Sequence, residues 1–132
     1  MNIRRVNDWI IFGKEALVAL EIAENGKITK TFRGQISSFG AAVSMGNLKS
    51  AVAFFSEQAG AAVAREKLIR AIWFVLQRAK GVNKENIDVE KIKTDNIFNY
   101  VCENDSLKLK NDFLDASLAI KLAMNLFELV KE

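Results

Sequence analysis

From Asp8 to Glu24 apolar side chains return at helical intervals, at Ile11, Val18 and Ile22 and again at Trp9, Phe12, Ala16 and Leu20. The segment therefore predicts a first helix. Polar positions fall mainly at Lys14, Glu15 and Glu21, so this helix is expected to be deeply buried or partly covered by another subunit. Asn25-Gly26 supplies its stop, because glycine accepts the left-handed backbone that closes helices. A second helix is predicted from Ile28 to Met45, with Phe32, Ile36, Phe39 and Val43 on its core face. Gly34, Ser37, Ser38, Gly40 and Ala41 make another of its surfaces small, as close approach by a neighbouring backbone would require.

Gly46-Asn47 reads as a sharp turn, with Asn47 suited to cap a third helix from Leu48 to Gln58. Ala59-Gly60-Ala61-Ala62 is a point where that helix bends or ends. Helix four, Arg65 to Lys80, carries the clearest stripe, Leu68, Ile69, Ile72, Trp73 and Leu76, and Gly81 stops it. A short polar helix within Asn83 to Ile92 and another from Asp95 to Cys102 follow. The last runs from Leu107 to Lys131, with Phe113, Leu114, Leu118, Leu122, Leu126, Phe127 and Val130 as a wide apolar face. No stretch alternates long enough to predict a strand, and neither repeat nor linker divides the chain. The expectation is one all-α domain over residues 1–132, an irregular bundle of five to seven helices.

Composition agrees with that picture. Half the 132 residues are hydrophobic and 27% are charged, which suits a folded chain with one shared core. Proline, which breaks helix interiors, is absent. The single cysteine, Cys102, has no internal disulfide partner, and its place beside Val101 on an apolar face suggests a buried structural thiol in a reducing, cytoplasmic setting. Arg4-Arg5 and the apolar run Trp9 to Phe12 form neither a secretion signal nor a membrane span, since Asp8, Lys14 and Glu15 interrupt them.

Histidine is also absent, which removes the commonest general base and the ordinary zinc and nucleophile systems. Neither a P-loop nor a dinucleotide fingerprint occurs, so no cofactor is indicated. Asp112 and Asp115 could stand together for a metal-dependent nuclease; placed early in the last helix, they more simply complement its dipole. Glu85, Asp88 and Glu90 read as a solvated face. No catalytic or metal-binding residue is expected.

What remains is basic charge. Residues 1–80 hold 12 Lys and Arg against 6 Asp and Glu, whereas residues 81–132 hold 7 against 10. Lys27, Lys30 and Arg33 recur every third residue and would form a stripe if helix two begins early enough. Lys49 follows, and Lys67, Arg70, Arg78 and Lys80 lie around helix four outside its apolar stripe. Such positions could neutralise phosphates, and they fit a solvated surface equally well.

The stretch from Asn25 through Lys27-Ile28-Thr29-Lys30-Thr31-Phe32-Arg33-Gly34 to Phe39-Gly40-Ala41-Ala42-Val43, and on through Gly46-Asn47-Leu48 to Ala51-Val52-Ala53-Phe54-Phe55, resembles the small helical subunit of type III-B CRISPR effector complexes, the Cmr module. The shared pattern is an aromatic, basic and small start, a small-residue middle, a Gly-Leu turn and an Ala-Phe-aromatic ending. Here Asn47 stands before the leucine and glycine is displaced to Gly46; asparagine's tolerance of a left-handed backbone would keep the turn. About thirty residues are covered, with a looser echo in the helix bearing Lys121. The resemblance implies a non-catalytic subunit stacked in several copies along an effector complex, lining a basic path for target RNA paired to guide RNA.

Arg33 is the basic position the motif itself matches, Lys27, Lys30 and Lys49 lie within it by charge alone, and Arg70 and Arg78 are added from helix four. Expected partners are other subunits of the complex, guide and target RNA and neighbouring copies, with no membrane. A protein-only adaptor docking through the apolar first helix is the competing expectation.

Overall fold

The computed structural model describes residues 1–56 and 64–131. Six α-helices dominate it: α1 Ile3–Ala19, α2 Lys30–Met45, α3 Leu48–Phe55, α4 Glu66–Ala79, α5 Thr94–Glu103 and α6 Leu107–Ala123. Two three-residue strands, β1 Lys27–Thr29 and β2 Glu128–Val130, pair in parallel, with Ile28 opposite Leu129. The all-helical class expected from the pattern holds, since these strands are the only sheet among the described residues.

Helix α6 is the axis of the fold. It packs against α1, α2 and α4, and its buried positions Leu109, Phe113, Ala116, Ala119, Ile120 and Ala123 face more than one neighbour. The alanines let α1 come close: a Cβ at Gly13 would lie 3.1 Å from the Ala119 carbonyl oxygen and 3.2 Å from the Ala123 Cβ. The close approach expected on α2 is therefore made by α1. Around Gly34 there is open space, and Gly40 approaches only the Ser117 hydroxyl, at 3.9 Å.

Helix α2 buries Phe32, Ile36, Phe39 and Val43, as its spacing requires. Phe39 meets Phe55 edge to face at 5.3 Å, which ties α2 to α3. Asn47 caps α3 by accepting from the Ser50 amide at 2.8 Å. Its backbone is extended, not left-handed, and Gly46 serves close approach instead, because a Cβ there would meet the Ala42 carbonyl at 2.9 Å. Helix α4 follows its expected bounds to within a residue, and Gly81 closes it at φ +96°. The bend expected at Ala59-Gly60-Ala61-Ala62 and the predicted end at Gln58 lie outside the described residues.

Several boundaries differ from the pattern. Helix α1 starts at Ile3, where the Asn2 side chain accepts from the Arg5 amide, and ends at Ala19 instead of Glu24. Its stop is Glu21 at φ +58°: the Ile22 amide bonds the Leu17 carbonyl and the Glu21 amide bonds that of Val18, a Schellman closure made without glycine. Helix α2 begins at Lys30 because Ile28 is spent in β1, fully buried against the sheet side of the core. The polar stretch after α4 forms two single 3₁₀ turns, Lys84–Asn86 and Val89–Lys91, instead of a short helix. The last helix ends eight residues short of Lys131, since a 3₁₀ turn at Met124–Leu126 leads into β2, whose Glu128 amide reaches the Gly26 carbonyl at 2.9 Å. Val101, not Cys102, faces the core; a step of one residue turns Cys102 to the exposed side of α5.

Candidate nucleic-acid interface

The six basic residues singled out from the sequence fall into two groups. Lys27 in β1, Lys30 at the first position of α2 and Lys49 at the second position of α3 are exposed. Arg33, Arg70 and Arg78 are partly buried and make internal bonds. The three-residue stripe is broken, because Lys27 belongs to a strand and only Lys30 and Arg33 share a helix.

Arg33 bridges α2 to the end of α6. Its Nη1 donates to the Lys121 carbonyl at 3.2 Å and to Asn125 Oδ1 at 2.8 Å. The Lys121 carbonyl belongs to the last turn of α6, where carbonyls lack helical partners and the dipole favours a cation. Arg70 holds the 3₁₀ segment onto α4: Nε donates to the Ile92 carbonyl at 2.9 Å and Nη2 to that of Val89 at 2.7 Å. Arg78 reaches across to α1, where its Nε donates to Glu15 Oε1 at 2.8 Å and its guanidinium lies 4.5 Å from the centre of the Phe12 ring. The hydrogen bond that Arg78 donates to Glu15 raises the Arg78 pKa above its ordinary value against a smaller opposing effect of burial.

Exposed positions around β1 and α2 include a cation the sequence pattern could not place. Val130 is the partner of Thr29, so the residues that follow each strand are Lys30 and Lys131, and both are exposed. The sequence pattern hides Lys131, because the residues of β2 continue the helical period of α6. Carboxylates temper this end of the molecule: Lys27 stands in register with Glu128, and its backbone exchanges both bonds with Glu24. The small residues of α2, Gly34, Ser37, Ser38, Ala41 and Ala42, form an exposed face that leads to Met45, itself 89% exposed.

Asp112 and Asp115 do come together, but not at the start of α6. They sit in its second and third turns, and their partner is Arg5 of α1. Arg5 Nε donates to Asp115 Oδ2 at 2.7 Å and Nη1 to Asp112 Oδ1 at 3.0 Å, while the Asn2 amide also reaches Asp115. Burial alone would lower the Arg5 pKa; the hydrogen bonds and charges of Asp115 and Asp112 more than reverse this, so the guanidinium stays charged. The pair is a clamp between two helices. Among the described residues no group of three potential ligands stands close enough to hold a metal ion. No helix among them is long and apolar enough to cross a membrane.

Compared with known proteins, the chain matches no family model, no curated protein and no solved structure.

Proposed function

We propose that this chain is a non-catalytic small subunit of a type III-B CRISPR effector complex, holding the paired guide and target RNA through phosphate contacts in antiviral defence. The observation that carries the proposal is the stretch Asn25 to Phe55. Its sequence resembles that subunit, and it folds as a strand and two helices with Lys27, Lys30 and Lys49 exposed and the small-residue side of α2 uncovered. Small side chains suit close stacking against a neighbouring copy or subunit, and lysines on one side of such a stack would meet RNA backbone without reading sequence. Pairing by the guide supplies the specificity in RNA-guided systems.

The decisive test is purification from the native host with identification of what accompanies the chain. CRISPR subunits and guide RNA are the expected companions, and their absence would sink the proposal. In vitro, RNA binding is expected to be weak, to fall steeply with salt and to drop further in Lys27→Glu, Lys30→Glu, Lys49→Glu. Parental affinity in that triple variant would remove this surface from the account.

The adaptor reading has an observation of its own. Ile3, Ile11 and Val18 of α1 are 58%, 53% and 55% exposed, apolar positions set among the exposed Asn7 and Lys14 on a helix whose other side is core. Sedimentation with and without RNA separates the two: self-association indifferent to RNA would favour the adaptor.

A further inference from the structure

Both tryptophans of the chain line one pocket. It lies between α1, α4, α5 and the start of α6, has a volume of about 350 Å³, and is walled by Trp9, Trp73 and Tyr100, with Leu76 and Leu109 among its apolar lining. Trp73 and Tyr100 stand edge to face at 5.1 Å. Cations rim it: Lys80 Nζ lies 5.6 Å from the Tyr100 ring centre, Arg5 lies over Trp9 at 4.7 Å, and Lys108 is 87% exposed. Among the described residues the one carboxylate in the wall, Asp112, is already bonded by Arg5 at 3.0 Å and approached by Lys108 at 3.4 Å, so its charge is compensated from both sides.

Partly buried aromatic rings beside flexible lysines suit a particular ligand chemistry. A nucleobase offers a flat π face that stacks on aromatic side chains whatever its identity, and its flanking phosphates seek lysine. An aliphatic peptide would leave the cations unused, and a bare anion would leave the rings unused. We infer that this pocket binds one unpaired nucleobase of single-stranded RNA, stacked on Tyr100 beside Trp73 and Trp9, with Lys80 and Lys108 on the adjoining phosphates. This rests on the proposal that the chain meets RNA, and it adds a site outside the Asn25 to Phe55 stretch. Also in the wall, the Ser106 hydroxyl accepts from the Leu109 amide at 3.1 Å and can still donate, and Asn104 donates Nδ2 to the Tyr100 carbonyl at 2.9 Å and keeps Oδ1 to accept from a base edge or ribose.

The tryptophans make the test direct. The full chain is titrated with hexauridylate and hexaadenylate, and separately with AMP and UMP, following tryptophan emission and, for labelled hexamers, anisotropy. Both hexamers are expected to quench emission in step with binding, more tightly than either mononucleotide. Lys80→Glu, Lys108→Glu should weaken hexamer binding about tenfold and lower its log–log salt slope by about 1.4, the value for two single-strand phosphate contacts. Tyr100→Leu should weaken it by a similar factor through lost stacking. Should Tyr100→Leu fail to fold, the exposed lysine pair decides alone. Lys84→Glu, Lys91→Glu, an equal charge change elsewhere, should leave the quenching as it is. Hexamer binding by anisotropy with unchanged emission would overturn the pocket while leaving the RNA proposal standing. Neither binding nor quenching would overturn both. Quenching by AMP as tight as by the hexamers would assign the pocket to free nucleotides and overturn its assignment to a strand.

Discussion

At the scale of single residues, the stops of α1 and α4 use one motif with different chemistry. In each, the residue after the cap lies in the left-handed region, Gly81 at φ +96° and Glu21 at φ +58°. Only glycine adopts that backbone without strain, and a side chain there costs roughly 1–2 kcal/mol. Glu21→Gly should therefore raise stability by about 0.5–1 kcal/mol, the strain relieved less the entropy that glycine adds to the unfolded chain. Gly81→Ala should lower stability by about 1 kcal/mol. Chemical denaturation of both variants checks the pair, and equal destabilisation would show that Glu21 is not strained. Gly81 was legible in the sequence because glycine after an apolar stripe is a stop; Glu21 was not, because nothing in its side chain announces a left-handed turn. The role of Asp115 is illegible in the sequence for a related reason. Its side chain is 3% exposed and bonded to Arg5, 110 positions away, so no local pattern could name the partner. Asp115→Ala strands a guanidinium that is itself partly solvated, and a loss of about 2–3 kcal/mol is expected in urea melts. A loss below about 0.5 kcal/mol would mean that the clamp adds nothing.

At the scale of elements, apolar periodicity named the helices and their buried faces well, because a face such as Phe32, Ile36, Phe39 and Val43 is written within one segment. What faces what was less legible. Small residues on α2 and a single glycine in α1 look alike in sequence, yet Gly13 is the one pressed against α6 and Gly34 faces open space. Gly13→Val should thus force α1 away from Ala119 and Ala123 and cost about 1–3 kcal/mol. Gly34→Ala should stabilise the isolated chain by up to about 1 kcal/mol, since helix propensity improves and nothing is displaced. Thermal melts of the two variants should move in opposite directions. Where α2's small side is a stacking surface, Gly34→Ala would also weaken assembly while strengthening the monomer, a split that intramolecular packing cannot produce. The strands were illegible because three residues hold no period, and Ile28 and Val130 fit a helical pattern as well as a sheet.

For the whole molecule, the uneven charge along the chain does not become two sides of a surface. The basic N-terminal part and the acidic C-terminal part interleave, α6 lying against α1, α2 and α4, and their charges pair across that contact as Arg5 with Asp112 and Asp115 and Arg33 with the end of α6. Charge counts therefore overstate the basic surface, and the arginines account for much of the excess. This divides the six basic positions into two classes that experiment can separate. Arg33→Ala, Arg70→Ala and Arg78→Ala each remove side-chain bonds that join separate elements, and each should cost about 1–2 kcal/mol, several degrees in Tm for a chain of this size. Lys27→Ala, Lys30→Ala and Lys49→Ala should leave Tm within about two degrees, since exposed surface substitutions stay within roughly 0.5 kcal/mol. If these lysines hold phosphates, each lysine variant should lower the salt slope of RNA binding by about 0.7–0.9, whereas the arginine variants should lower Tm and leave the slope unchanged. Lysine variants that shift Tm but not the slope would reverse the assignment, making the exposed cations structural and leaving the aromatic pocket to carry any RNA contact.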